Sequence, residues 1–395
     1  MQPTYSPSFL LRILLVLCAL AVVSLLYLPL PILPQLAKTH SMSVTRSAGV
    51  ISAFGLAYAT GFLIFGPLSD RLGRRAVMML GLAALALVTA WLSTVETASL
   101  LLAGRAVQGL AAATFPPVVI AYLAERGSPR QRVWSVAWMS TAFLSAGLLG
   151  QIYGAAVAGR WGLGPALLPL TAVFALTAWR IWATPADPLQ KSASSVLANY
   201  QPIIQILASP QLRRVYGPAL LLLMSFVAFY MGLDVHVGPA LQAQGVTPLF
   251  ARELALPAFL TPLAVASVMT RWGAERVVNT GLIVATTGLA LCSWAGNTHL
   301  YGLLAASVVF VAGIGISVPG LIARVATIAA APVRGLAVAF YTFVLFVGAS
   351  LGPWLAQQTA GWSTQQAFLI LTLLLGAVAL YALTGRYTQD TSPNG

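Results

Sequence analysis

Apolar runs alternate with short polar breaks along the whole chain, from "ILLVLCALAVVSLLYL" near the start to "LILTLLLGAVALYAL" near the end. Cutting at the breaks gives twelve segments: 10–34, 47–68, 76–94, 99–122, 133–158, 164–183, 213–240, 249–269, 277–296, 300–323, 335–359 and 365–385. Each approaches the roughly 20 residues that a helix needs to cross bilayer hydrocarbon. Main-chain groups in lipid must be satisfied within their own segment, and the strict two-residue alternation of a barrel strand is absent, so the pattern predicts helices. The fold class is an all-α polytopic membrane protein with twelve transmembrane helices. Arg12 ahead of the first run gives it the look of a secretory signal, but the spans that follow make it a retained first helix.

The breaks also orient the chain. With the N-terminus inside, sixteen of the 21 Lys and Arg fall on the cytoplasmic side, Lys38, Arg46, Arg160 and Arg252 fall outside, and Arg105 stays within a span. Both termini are then cytoplasmic. The longest polar interval, rich in Pro, Ser and Gln, divides the chain into a six-helix bundle at 1–183, a cytoplasmic linker at 184–212 and a second six-helix bundle at 213–395.

Composition agrees with this reading and removes others. At 59% apolar and 7% charged, with mean hydropathy +0.87, the chain has more apolar surface than a soluble domain hides. The net charge of +13 is spread in ones to threes between apolar segments, so no stripe for nucleic acid forms. Cys18 and Cys292 lie inside apolar segments, one in each half, and read as buried free thiols. No phosphate-cradling loop, metal cluster or nucleophile with a base is present, which argues against an enzyme, a metal site or a cofactor and leaves an ion gradient as the energy source.

The halves repeat. A shift of 200 sets Arg71 on Arg271 and Gly73 on Gly273; a shift of 202 sets Arg132 on Arg334, Ala146 on Gly348 and Gly150 on Gly352. Duplicated bundles joined by a loop are the architecture of secondary transporters, in which substrate sits between halves that rock against each other.

"GPLSDRLGRR" at 66–75 resembles the signature between the second and third helices of the major facilitator superfamily, through Gly66, Asp70, Arg71, Gly73, Arg74 and Arg75. The resemblance implies a cytoplasmic latch: Asp70 meets the N-terminal end of the eleventh helix near Gly335, and Arg74 ties the loop to the acid closing the fourth, here Glu125. Gly73 suits the tight turn and Gly66 a close helix approach. Arg71, Arg74 and Arg75 also serve plain topology, whereas Asp70 does not. The second half has Thr270 in place of Asp70.

The fourth span is similar to the drug/proton antiporter branch of that family, with Leu101, Arg105, Gln108, Gly109, Ala112 and Ala113 in place. In that branch the arginine is linked to proton coupling. Snorkelling to the outer interface is the alternative for Arg105. The fifth span departs from the branch's G-x-x-x-G-P-x-x-G-G: Gly150 and Gly154 are present, but Gln151 stands where Pro belongs and Ala155 replaces the last Gly. Gly348, Gly352 and Pro353 in the eleventh span offer a small-residue packing seam instead.

Asp234, with His236 beside it, is the one acid near a helix body and a candidate proton site; the alternative is a structural pair with Arg252 at the outer rim. Tyr58, Gln108, Phe115, Trp138, Gln151, Phe226, Tyr230 and Tyr341 lie on helices expected to line a central cavity for amphipathic molecules. With Arg105 as the only charge at that level, neutral or anionic substrates suit the cavity better than strong cations. The reading is a monomeric proton-driven exporter of small amphipathic compounds in a bacterial inner membrane, with drugs or metabolites and protons as its partners. A proton-coupled importer and a non-transporting sensor or scaffold on the same fold are the alternatives.

Overall fold

Helix starts are written into the chain by small hydroxyl residues. Ser8, Ser43, Ser128, Ser209, Thr247 and Ser363 each accept a hydrogen bond from the main-chain N–H three positions on, and Gln131 and Gln366 return the bond to Ser128 and Ser363. The computed structural model describes residues 8–124, 126, 128–185, 206, 208–296, 298–330 and 334–384, and all regular structure among them is helical.

Eleven helices among the described residues are long and apolar enough to cross a membrane. They follow eleven of the twelve expected segments. The remaining one, 249–269, is a correction to the continuous helix expected there: it forms as Pro248–Ala255, a 3₁₀ turn Leu256–Leu260, and the first part of Thr261–Ala295, whose path breaks at Gly273. Pro257 and Pro262 each lack an N–H, so an uninterrupted α-helical ladder is not available in that stretch. We number the spans by these segments, counting this broken one as the eighth.

Packing repeats between the halves. In the first half the first span packs on the fifth, the second on the fourth and the third on the sixth; in the second half the seventh packs on the eleventh, the eighth on the tenth and the ninth on the twelfth. The halves meet through second against eleventh and fifth against eighth, two pairs that exchange when six is added to or subtracted from each number. Gly73 (φ 89°) and Gly273 (φ 78°), matched by the sequence repeat, both make their helix-to-helix turns in a conformation that a side chain resists. Large apolar residues such as Leu87, Leu380 and Trp294 remain exposed on the outside, where lipid tails replace water.

Small residues set the helix spacing. A side chain on Gly109 would overlap the Phe54 carbonyl, on Gly150 the Ser24 main chain, on Gly154 the Leu28 carbonyl, on Gly348 the Leu220 carbonyl and on Gly352 the Val227 side chain. Pro353 lies inside the helix Arg334–Gln358. Gly66 does not share this role: nothing stands within 4 Å of where its Cβ would be, so the close approach expected there is absent. Cys18 and Cys292 are both buried and free.

This contrast gives a prediction. Gly109→Leu and Gly348→Leu are expected to destabilise the bundle by about 3 kcal/mol or more through overpacking. Gly66→Ala, in the open middle of a helix, should be neutral or stabilising by about 0.5–1 kcal/mol. Thermal unfolding of the purified variants in one detergent reads both signs.

Candidate functional site

Arg105 sits in the helix Ala98–Ala112 and is 1% exposed, which excludes snorkelling to the interface. Its Nε donates to Val50 O (3.1 Å), Nη1 to Gln108 Oε1 (2.6 Å) and Nη2 to Leu25 O (2.7 Å). Gln108 in turn donates to Thr89 Oγ1 at 2.8 Å, and the Phe54 ring lies 4.4 Å from the guanidinium carbon. Arg105 and Gln108 together therefore tie the first four spans. Each bond to a charged group is worth roughly 1.5–3 kcal/mol, and the main-chain carbonyls it reaches have no water as an alternative.

Arg105 is not the only charge in the interior, a second correction. Arg252, expected on the outside near the start of the eighth span, is likewise 1% exposed. It forms a two-pronged pair with Asp234, Nη2 to Oδ2 at 2.6 Å and Nη1 to Oδ1 at 3.0 Å, and its Nε donates to Gln151 Oε1 at 2.9 Å. Gln151 completes the chain by donating to Gly147 O at 2.8 Å. The network thus joins the seventh and eighth spans of the second half to the fifth span of the first. Local breaks surround it. Asp234 and His236 lie in the π-helical turn Leu233–Val237, Gln151 precedes the π-helical turn Gly154–Ala158, and Arg252 precedes the 3₁₀ turn Leu256–Leu260. Asp234 keeps 28% exposure, while the buried Nε2 of half-buried His236 has no hydrogen-bond partner.

Aromatic rings carry the seam toward the middle of the bundle. Tyr58 of the second span touches Phe346 of the eleventh at 4.8 Å between ring centres, Phe62 touches Phe346 at 5.3 Å, and Ser52 Oγ donates to Ser350 O at 2.8 Å. Tyr27 of the first span meets Phe226 of the seventh at 6.0 Å, and Phe226 meets Tyr230 at 5.2 Å. Phe115 and Tyr341 are fully buried, as expected of interior residues. Trp138 is not: it is 52% exposed and makes no ring contact among the described residues.

These cross-half contacts lie in the middle of the bundle and toward the end away from Arg71, Arg74 and Arg75. At the basic end, the side chain of Asp70 and the whole of Glu125 lie outside what the structure describes. Arg75 donates from Nε to Ile181 O at 3.1 Å and from Nη2 to Trp182 O, fastening the third span to the closing turn of the sixth, within one half. The Nε and Nη2 atoms of Arg71 are buried without a hydrogen-bond partner.

Sequence reasoning reached Arg105, Asp234, Tyr58, Phe226 and Tyr230 but missed Phe54, Phe62, Phe346, Ser52 and Ser350. A signal existed for two of them, since Phe54, Tyr58 and Phe62 recur every four residues and so form one helix stripe. The pair of Arg252 with Asp234 was one of the two readings the sequence offered, whereas its bond to Gln151 of the other half had no signal in the sequence. No group of three or more potential metal ligands exists among the described residues.

A family model described as Major Facilitator Superfamily matches residues 15–254. The multidrug efflux pump LfrA of Mycolicibacterium smegmatis is 24% identical over 344 residues, 72% of this chain and 67% of that one. The inner membrane transport protein YnfM of Escherichia coli is 28% identical over 287 residues, 69% of this chain and 66% of that one. The chain thus spans about two thirds of the length of these relatives. The solved human organic anion transporter MFSD10 (TETRAN) superposes with a TM-score of 0.72 at 20% identity, covering 94% of this chain and 98% of that one, a likeness of fold.

The Arg105 geometry makes its own prediction. Arg105→Lys keeps the charge but loses the planar fork that reaches oxygens on the first and second spans and Gln108 at once. It is expected to cost about 2–4 kcal/mol in bonds to buried acceptors, and Arg105→Met at least as much. Both should appear as a lowered unfolding temperature and reduced membrane yield.

Proposed function

The chain belongs to the Major Facilitator Superfamily, a family of membrane transporters, and from that premise we propose that it is a proton-driven exporter of small amphipathic compounds, drugs or metabolites, working by alternating access. The observation that carries this reading is the bridge from Asp234 through Arg252 to Gln151. It is polar and compact, and it joins the two halves at one end of the bundle. Two halves that separate at that end must release the hydrogen bond from Arg252 to Gln151 along with the packing of the fifth span on the eighth. A polar contact at the closed end suits a machine that opens that end in every cycle.

Asp234 is the proton site in this scheme. Its carboxylate is partly exposed while its partner Arg252 is sealed, so a proton reaches the acid without crossing the bundle. Protonation removes the charge that holds the guanidinium in its two-pronged pair, and the hold of Arg252 on Gln151 changes with it. Arg105, fully engaged with protein oxygens, acts as a fastener of the first half and carries no proton in this reading. Asp70, with Arg71, Arg74 and Glu125, forms the latch at the opposite end in the alternate state.

Export rests on the alignment with a protein named as a multidrug efflux pump. Placement in a bacterial inner membrane, with the basic loops inside, rests on the charge bias and on a relative named as an inner membrane transport protein. Both bundles that alternating access needs are in one chain, so a monomer suffices.

Inside-out bacterial vesicles test direction and coupling together. An interior-acid pH gradient is expected to drive uptake of an amphipathic dye by the wild type, and Asp234→Asn to reduce that uptake about tenfold or more while sparing gradient-free exchange of the dye. Gln151→Ala should speed exchange while weakening its dependence on the gradient. Uptake into right-side-out cells favoured by external acid would instead establish an importer, and no flux in either orientation would establish a non-transporting protein.

A further inference from the structure

Tyr58, Tyr230 and Tyr341 are at most 1% exposed, and none of their hydroxyls has a hydrogen-bond partner. This sets them apart from most buried hydroxyls of the bundle. Ser307, Ser317, Ser350 and Thr177 all turn back onto a carbonyl of their own helix, and Tyr216 and Tyr153 donate to carbonyls of Ala337 and Ala166. A phenol is too long to bond its own turn, so it needs a partner from elsewhere, and a buried hydroxyl without one is a standing cost.

Two of these hydroxyls belong to rings at the seam. Tyr58 packs edge-on against Phe346 of the other half, and Tyr230 packs edge-on against Phe226, which in turn meets Tyr27 across the seam. Two charges stand beside them, and neither offers a free handle. Arg252, 5.5 Å from the Tyr230 ring, is neutralised by Asp234, and Arg105 directs each of its nitrogens to a protein oxygen behind the Phe54 ring. The field that remains is that of one unneutralised guanidinium. It repels cations, and it presents no open fork to an anion.

Resting on the transport reading above, the geometry points to an uncharged aromatic substrate bearing an oxygen acceptor, held between the halves by ring contacts and by the hydroxyls of Tyr58 and Tyr230. The rings supply stacking and edge contacts, the phenols donate to a carbonyl or ether oxygen, and charge is excluded on both signs. Anionic substrates, admissible from the sequence, meet no open guanidinium in this state.

Purified protein in lipid nanodiscs tests this by tryptophan-fluorescence titration with three naphthalenes that differ only in the head group: 2-acetylnaphthalene (neutral), 2-naphthoate (anionic) and 2-naphthyl-trimethylammonium (cationic). The ketone is expected to bind about tenfold or more tighter than either ion. Tyr58→Phe and Tyr230→Phe should each weaken ketone binding about three- to tenfold, one hydrogen bond's worth, while leaving the unfolding temperature of the free protein unchanged or raised. Tyr153→Phe, which removes a satisfied hydroxyl, should do the reverse: lower the unfolding temperature and leave binding alone. Equal or tighter binding of either ion, failure of the ketone to bind, or Tyr→Phe variants that lose stability rather than affinity overturn the inference. Ketone binding without flux in vesicles would count against the transport reading and leave this one standing; flux confined to the cation would do the opposite.

Discussion

A guanidinium inside an apolar bundle is costly unless its nitrogens reach protein oxygens, and Arg105 and Arg252 both meet that demand. Arg105 draws carbonyls of the first two spans and a glutamine of its own span to one point. Arg252 draws an aspartate and a glutamine from two other spans. The arrangement of at least seven helices follows from these two demands, since moving any one of them strands a buried polar group. The small residues then allow the distances: Gly109 lets the fourth span reach the main chain of the second, and Gly150 lets the fifth reach the first.

The two arginines differ in what they join. The bonds of Arg105 stay within the first half, where they stiffen a single six-helix unit. Arg252 reaches across from the second half to Gln151, by a hydrogen bond set beside turns that already depart from α-helical geometry. Rigid within and separable between is the division of labour that rocking bundles need. The departure of the fifth span from its family pattern gains a physical meaning here: the position where proline belongs carries the acceptor that Arg252 uses, and proline has no side-chain acceptor to offer.

The aromatic seam adds a second kind of contact between the halves, one without directional bonds. Rings at Tyr58, Phe62 and Phe346 slide or part at lower cost than hydrogen-bonded groups, since each contact is replaced by another apolar one. Hydroxyls left unbonded within such a seam contribute no cohesion to it, which is why the proposed ligand is assigned to them.

Much of this architecture was legible residue by residue. Hydropathy located the spans, charge bias marked the basic end, and the repeat that pairs Gly73 with Gly273 reappears as two equivalent turns. Arg105 and the stripe of Phe54, Tyr58 and Phe62 could be seen on single helices. These features reflect transfer free energies and helical periodicity, which depend only on local sequence. Arg252 read as an outside charge able to pair with Asp234, but its full burial also depends on Gln151, 101 residues away in the chain; the break of the eighth span is local, and Pro257 and Pro262 already marked it in the sequence. Which helices meet, and so which polar groups find each other out of water, was decided by the tertiary structure alone: pairing energy in an apolar interior belongs to the contact and not to either residue.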